Sequence, residues 1–142
     1  MRQLIVFAVV MIALFFAFKT WVLPRFDFVG GEQVDAVEER AEELNKGLPR
    51  FVDSQLELRK VSADGRTLTY HYRHLDYSAS EVDRDTSRAA VEPGFQSSTC
   101  RDRASRALMA KGVRIEHEVS GKEGRHIDTY AVTSPVCKRF GE

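Results

Sequence analysis

Four histidines, two cysteines and a scatter of serines and carboxylates are the residues of this chain whose types could do chemistry, and their spacing limits what they could do. His71 and His74 stand three apart in a stretch that alternates as a strand, so they point to opposite faces and cannot share a metal without a bulge. His117 and Asp128 fall on the two arms of a second hairpin, where a central turn would set them across from each other. A histidine oriented by a carboxylate is a general base, which would make a small hydrolase, but no nucleophile is placed beside them. An ordinary cross-strand ion pair competes with that reading. His126 lies near the turn and is expected to be exposed. The Ser97-Ser98-Thr99 cluster and Ser134-Pro135 lack the Gly-x-Ser-x-Gly setting of a nucleophile elbow, and no glycine-rich loop is placed to cradle phosphates. No catalytic residue, metal ligand or cofactor-binding residue is assigned, no cofactor is expected, and the chain is not read as an enzyme.

Cys100 and Cys137 are the two cysteines. A thiolate metal cage would need more ligands, whereas a disulfide needs only this pair. The bridge is expected, with two free thiols in a reducing compartment as the alternative; it would stabilise the fold by roughly 3 to 4 kcal/mol through the loop it closes. Tyr70, Tyr72, Tyr77 and Phe95 form a possible partner-binding set, since aromatic side chains are favoured interface anchors, although strand tyrosines also close small cores. The 21 basic and 21 acidic residues cancel, which speaks against a nucleic-acid partner.

The elements that must hold these residues begin after an apolar run, Leu4 to Phe18, that resumes with Trp21-Val22-Leu23 before Pro24. Counted through Leu23 it is about 20 residues, enough to cross a bilayer, so residues 1–23 are read as a transmembrane anchor that meets lipid through residues 4–23. A cleavable signal peptide is the rival, but no small-x-small pair follows the run. Disulfides persist in oxidising compartments, which orients the C-terminal domain into the periplasm from a single-pass span of the bacterial inner membrane. Residues 24–31 form a juxtamembrane connector, and residues 32–142 the domain.

Within the domain, Val34, Val37, Ala41 and Leu44 make one stripe of a helix that Gly47 stops in the left-handed conformation. The acidic run Glu38, Glu39, Glu42 and Glu43 lies mainly off that stripe, as a solvated or partner-facing surface. Residues 55–62 and 66–75 read as a hairpin with a three-residue loop Ala63-Asp64-Gly65, Gly65 left-handed, pairing Leu58 with Tyr70 and Leu56 with Tyr72. Ser80-x-x-Asp83 resembles a capping box for a helix that Pro93-Gly94 ends, and Thr99-x-x-Asp102 opens another that runs to Lys111. Cys100 would then lie in the first turn of the third domain helix. Residues 113–119 and 125–133 form a second hairpin that would pair Val113 with Val132 and Ile115 with Tyr130. The fold class is α+β: a transmembrane helix, then a small domain whose two hairpins form a four-stranded antiparallel sheet with about three helices on one face.

From the third domain helix onward, the arrangement Cys100-x5-Arg106-x-Leu108-x3-Gly112-Val113-Arg114-Ile115, then Gly121 or Gly124, then Val132-x4-Cys137, resembles the C-terminal half of the disulfide-bonded α/β pilotins of bacterial type II secretion. It is also similar to small periplasmic proteins in which a Leu-Pro such as Leu48-Pro49 precedes a hairpin and the same cysteine tail. The resemblance implies a non-enzymatic periplasmic accessory or assembly subunit that binds another envelope protein, in the pilotins the C-terminal segment of the secretin. Pilotins are lipoproteins, and this chain has no cysteine after its apolar run, so an inner-membrane-tethered relative with a different partner is expected. A periplasmic inhibitor or immunity-type protein shares these features and is the alternative.

Overall fold

The computed structural model describes residues 31–140, most of which form one unit, Gln33–Glu142. The expected anchor at residues 1–23 and the connector up to residue 30 lie outside the described residues, while Gly31, counted in the connector, is the first residue of a helix. Among the described residues no helix is long and apolar enough to cross a membrane.

That helix, α1 (Gly31–Asn45), forms because Val37 and Ala41 recur one turn apart and bury against the sheet, with Leu44 packed beside them. Gly47 does not take the left-handed conformation. The stop falls instead on Asn45, whose carbonyl accepts the Leu48 amide at 3.2 Å. Its side chain is turned outward to the sheet: Nδ2 donates to the Val61 carbonyl at 2.7 Å and Oδ1 accepts the Val61 amide at 2.8 Å.

The chain then lays down β1 (Arg50–Phe51), β2 (Leu56–Asp64) and β3 (Thr67–His74), crosses through α2 (Arg84–Arg101) and α3 (Arg103–Ala110), and returns as β4 (Arg114–Ser120) and β5 (His126–Val132) before the short α4 (Ser134–Cys137). The sheet has five strands in the order β1-β2-β3-β4-β5, and it is mixed: β3 and β4 run parallel, the other pairs antiparallel. The expectation of four antiparallel strands is corrected on two counts. Both hairpins form, but a helical crossover carries the chain back to the starting end of β3, which obliges β4 to run parallel to it. The extra strand is a two-residue pairing of Arg50 with Leu58 and Phe51 with Glu57, too short to leave a periodic signature.

The expected three-residue loop Ala63-Asp64-Gly65 does not form: Ala63 pairs with Leu68 and Asp64 with Thr67, leaving the two-residue loop Gly65-Arg66, with Gly65 at φ 56°, left-handed as expected. A bulge at Arg59 then sets Leu58 opposite Tyr72 and Val61 opposite Tyr70. The net displacement from the expected pairs is two residues, which preserves the faces. In the second hairpin the turn is one residue longer than expected and Ile127 bulges, so Ile115 faces Val132 and His117 faces Tyr130.

Helix α2 runs unbroken through Pro93 and Gly94, against the expectation that they would end it. Val91, Phe95 and Thr99 recur every four residues across that dipeptide, all turned toward the sheet, and this packing outweighs the hydrogen bond Pro93 forgoes. The helix is capped by Asp83, whose carboxylate accepts the Thr86 amide; the capping box belongs to Ser78 and Glu81 on the preceding 3-10 turn. Asp102 ends α2 and caps α3 through the Ser105 amide at 2.8 Å, so Thr99 and Cys100 close one helix rather than opening the next.

All of these helices lie on one side of the sheet. Leu68, Ile115 and Val132 are buried there with Val37, Met109 and Val113, while Leu58, Tyr72, Val119 and Tyr130 form a second cluster under Phe95. The alternate residues, among them Ser62, Thr69, His71, Glu116 and Glu118, face outward from a polar open side.

Candidate functional site

Between α1 and α3 lies a cleft of about 710 Å³. Ala36 from α1 with Ala104, Ala107 and Leu108 from α3 form its floor. Three alanines keep the floor low and apolar, since a larger side chain at any of them would fill the space between the helices. The rim is charged: Glu39, Glu42 and Glu43 stand on the α1 side, Lys46 and Lys111 at its end, and Arg40 is held to Glu43 at 2.6 Å. The acidic run noted in the sequence therefore borders a groove.

Beneath the other end of the covered face, the aromatic set gathers around His117. This imidazole is 4 % exposed, accepts or donates to Tyr72 Oη through Nδ1 at 3.0 Å, and bonds Thr99 Oγ1 through Nε2 at 2.7 Å. Phe95 stacks on its ring at 4.5 Å and Tyr70 at 5.1 Å. Burial pushes its pKa down to about 4, so it stays neutral, and burial likewise raises the phenols of Tyr70 and Tyr72. Of the four aromatic residues singled out from sequence, Tyr70, Tyr72 and Phe95 are brought together here. Tyr77 stands apart, 46 % exposed, with its ring edge-on to His74 at 5.9 Å.

The pairing of His117 with Asp128 does not form. Asp128 sits opposite Val119 and is gripped by Arg88 of α2, through Nη2 at 2.7 Å and Nε at 3.0 Å. Burial alone would raise the Asp128 carboxyl, but the Arg88 hydrogen bonds outweigh it and hold the group below its usual range. Residue 126 is exposed as expected, and His126 Nε2 reaches Thr129 Oγ1 at 2.9 Å.

Side chains clip the sheet along β5 and along the part of β2 that β1 leaves uncovered. Asn45 occupies the Val61 amide and carbonyl on β2 beyond the reach of β1, and on β5 Arg84 and Arg88 donate to the carbonyls of Ile127 and Thr129 at 3.2 and 3.3 Å. Such groups discourage pairing by a foreign strand.

The disulfide Cys100–Cys137 is present, with Cα atoms 5.3 Å apart across a separation of 37 residues. It ties the last turn of α2 to the end of α4, and both cysteines are buried. Among the described residues no group of three or more His, Cys, Asp or Glu is placed to hold a metal ion.

Comparison with known proteins agrees with this architecture. A pilotin of the Vibrio vulnificus type II secretion system superposes with a TM-score of 0.64 at 18 % identity, over 77 % of this chain and 94 % of the pilotin. The Vibrio cholerae type II secretion pilotin gives 0.57 at 19 %, over 77 % and 95 %. A "putative secreted protein" of Pseudomonas aeruginosa gives 0.66 at 20 %, over 78 % and 97 %. The resemblance to pilotins thus holds at the level of fold. In sequence, an Escherichia coli protein named Protein K is 32 % identical over 99 residues, 67 % of this chain but 51 % of Protein K, so the chain spans about half the length of that relative. Residues 32–138 match the family described as "Putative quorum-sensing-regulated virulence factor", and the chain belongs to that family.

Proposed function

We propose that the protein is a pilotin-like accessory subunit of the bacterial envelope, which holds a helical segment of another envelope protein in the cleft between α1 and α3. The observation that carries this reading is the cleft itself: an alanine floor low enough for a helix backbone to approach, inside a charged rim. The acidic α1 rim suits a partner helix whose apolar stripe is flanked by basic residues. Strand addition is a poorer mode, because side chains already occupy the sheet at Val61, Ile127 and Thr129. Tyr77, beside the β4–β5 turn, lies outside the cleft lining, and Tyr70, Tyr72 and Phe95 serve this reading by packing the covered face.

In this reading residues 1–23 anchor the chain in the inner membrane through residues 4–23, residues 24–30 connect, and the domain up to residue 142 lies in the periplasm, where its disulfide persists. Cross-linking in intact membranes followed by capture of the full chain tests it. The wild type and a Thr69→Lys control on the open face should recover the same defined envelope protein. Ala107→Arg, an exposed position on the cleft floor, should lose it while melting at the same temperature as the wild type. Equal recovery by Ala107→Arg would refute binding in the cleft.

A further inference from the structure

On the open side of the sheet, three adjacent strands bring together a serine, a histidine and a carboxylate in hydrogen-bonded sequence. Ser62 Oγ of β2 lies 2.6 Å from His71 Nε2 of β3, and His71 Nδ1 lies 3.3 Å from Glu118 Oε1 of β4. The order is nucleophile, base, orienting acid, with the imidazole bonded through both nitrogens. The His71 side chain is 23 % exposed and that of Glu118 36 %, and Ser62 is half-buried, so solvent reaches the imidazole and the carboxylate. Beside it a depression of about 350 Å³ is lined by Lys60, His71, Arg73, Glu118 and Lys122. Lys60 precedes Ser62 by two residues on β2 and so shares its face, and among the described residues it has no ion-pair partner.

We infer that Ser62, His71 and Glu118 form an acyl-transfer site for small carboxylic esters, with the Lys60 ammonium facing the oxyanion. In the first step Ser62 Oγ bonds to the ester carbonyl carbon as its proton passes to His71 Nε2, and Glu118 holds the Nδ1–H of the resulting imidazolium. The ester C–O bond then breaks and His71 returns the proton to the departing alcohol. Water, deprotonated by His71, attacks the acyl-serine and releases the carboxylic acid, restoring Ser62. This site lies on the side of the sheet away from the α1/α3 cleft and does not depend on partner binding there.

The test is covalent labelling of the full chain with diisopropyl fluorophosphate, where Ser62 Oγ displaces fluoride, followed by peptide mass mapping and by turnover of 4-nitrophenyl acetate. A single adduct on Ser62 is expected. Labelling should fall by about a hundredfold in His71→Ala, the scale of a lost general base, and by less in Glu118→Gln. Ester turnover should drop in Lys60→Ala and return in Lys60→Arg. Each variant is first matched to the wild type in melting temperature, with His71→Gln as the substitute should His71→Ala melt lower. Labelling of Ser62 no faster than that of exposed Ser54, or unchanged by loss of His71, would overturn the inference. Ser62→Ala should leave recovery of the envelope partner intact, so this site and the cleft fail independently.

Discussion

Two histidines on neighbouring strands, His71 of β3 and His117 of β4, each bond a hydroxyl and another polar group, yet they stand on opposite faces of one sheet and their surroundings make different groups of them. His117 is sealed between Thr99 and Tyr72 under stacked rings, with nothing charged against it, and burial holds it neutral with a pKa of about 4. His71 lies between Ser62 and Glu118 where solvent enters. The same side chain serves packing on one side and is open to chemistry on the other, and what decides is which helices cover the strand. Burial, rather than residue type, assigns the role.

The contrast predicts that stability resides on the covered side. Breaking it most strongly is loss of the disulfide, which joins that core through Cys100: the Cys100→Ala, Cys137→Ala double variant should lose about 4 kcal/mol in urea unfolding, from the 37-residue separation. Ile115→Ala, at a residue with no exposed surface, should cost about 3 to 4 kcal/mol, whereas Glu116→Ala, its neighbour on the open side, should change stability by less than about 0.5 kcal/mol. Equal losses at positions 115 and 116 would erase the distinction between the faces.

The pH dependence sharpens it. Because the folded His117 has a pKa of about 4 against an ordinary 6.5, the unfolded chain takes up the proton first as pH falls. The stability linked to this group is complete above pH 6.5, declines between 6.5 and about 4, and is flat below, a total of about 3 kcal/mol. Carboxylates titrate over part of the same range, so the readout is the difference between wild type and His117→Gln, whose curve should lack this component. The smallest effect belongs to the edge: Asn45→Ala removes two hydrogen bonds to Val61 and should cost about 1 kcal/mol, accompanied by self-association at high concentration as the strand edge opens. A variant that stayed monomeric would mean that the clip does not guard the edge.

What the sequence disclosed follows the range of each signal. The left-handed Gly65, the α1 stripe of Val37 and Ala41, and the bridge were legible because each depends on nearby residues or on a count of cysteines. Register was not, because both turns close at other residues than expected and the bulges at Arg59 and Ile127, which leave no mark in composition, each displace every later pair by one more step. That is why His117 and Asp128 were set across from each other, and why Asp128 proved to belong to Arg88 on a helix 40 residues away. Pro93-Gly94 misled for the opposite reason. Its local signal was strong, but the four-residue recurrence of Val91, Phe95 and Thr99 across it was the better guide. The Ser62, His71 and Glu118 network spans three strands and could not be seen until their alignment was known.

The disulfide also governs what happens when the backbone is cut. Lys122 sits exposed in the β4–β5 turn, inside the stretch that Cys100 and Cys137 enclose. A trypsin nick there leaves two fragments that migrate as one molecule until a reductant is added, and β4 and β5 stay tethered for re-pairing. The cross-link thus makes this hairpin tip a place where the chain can be severed without being lost.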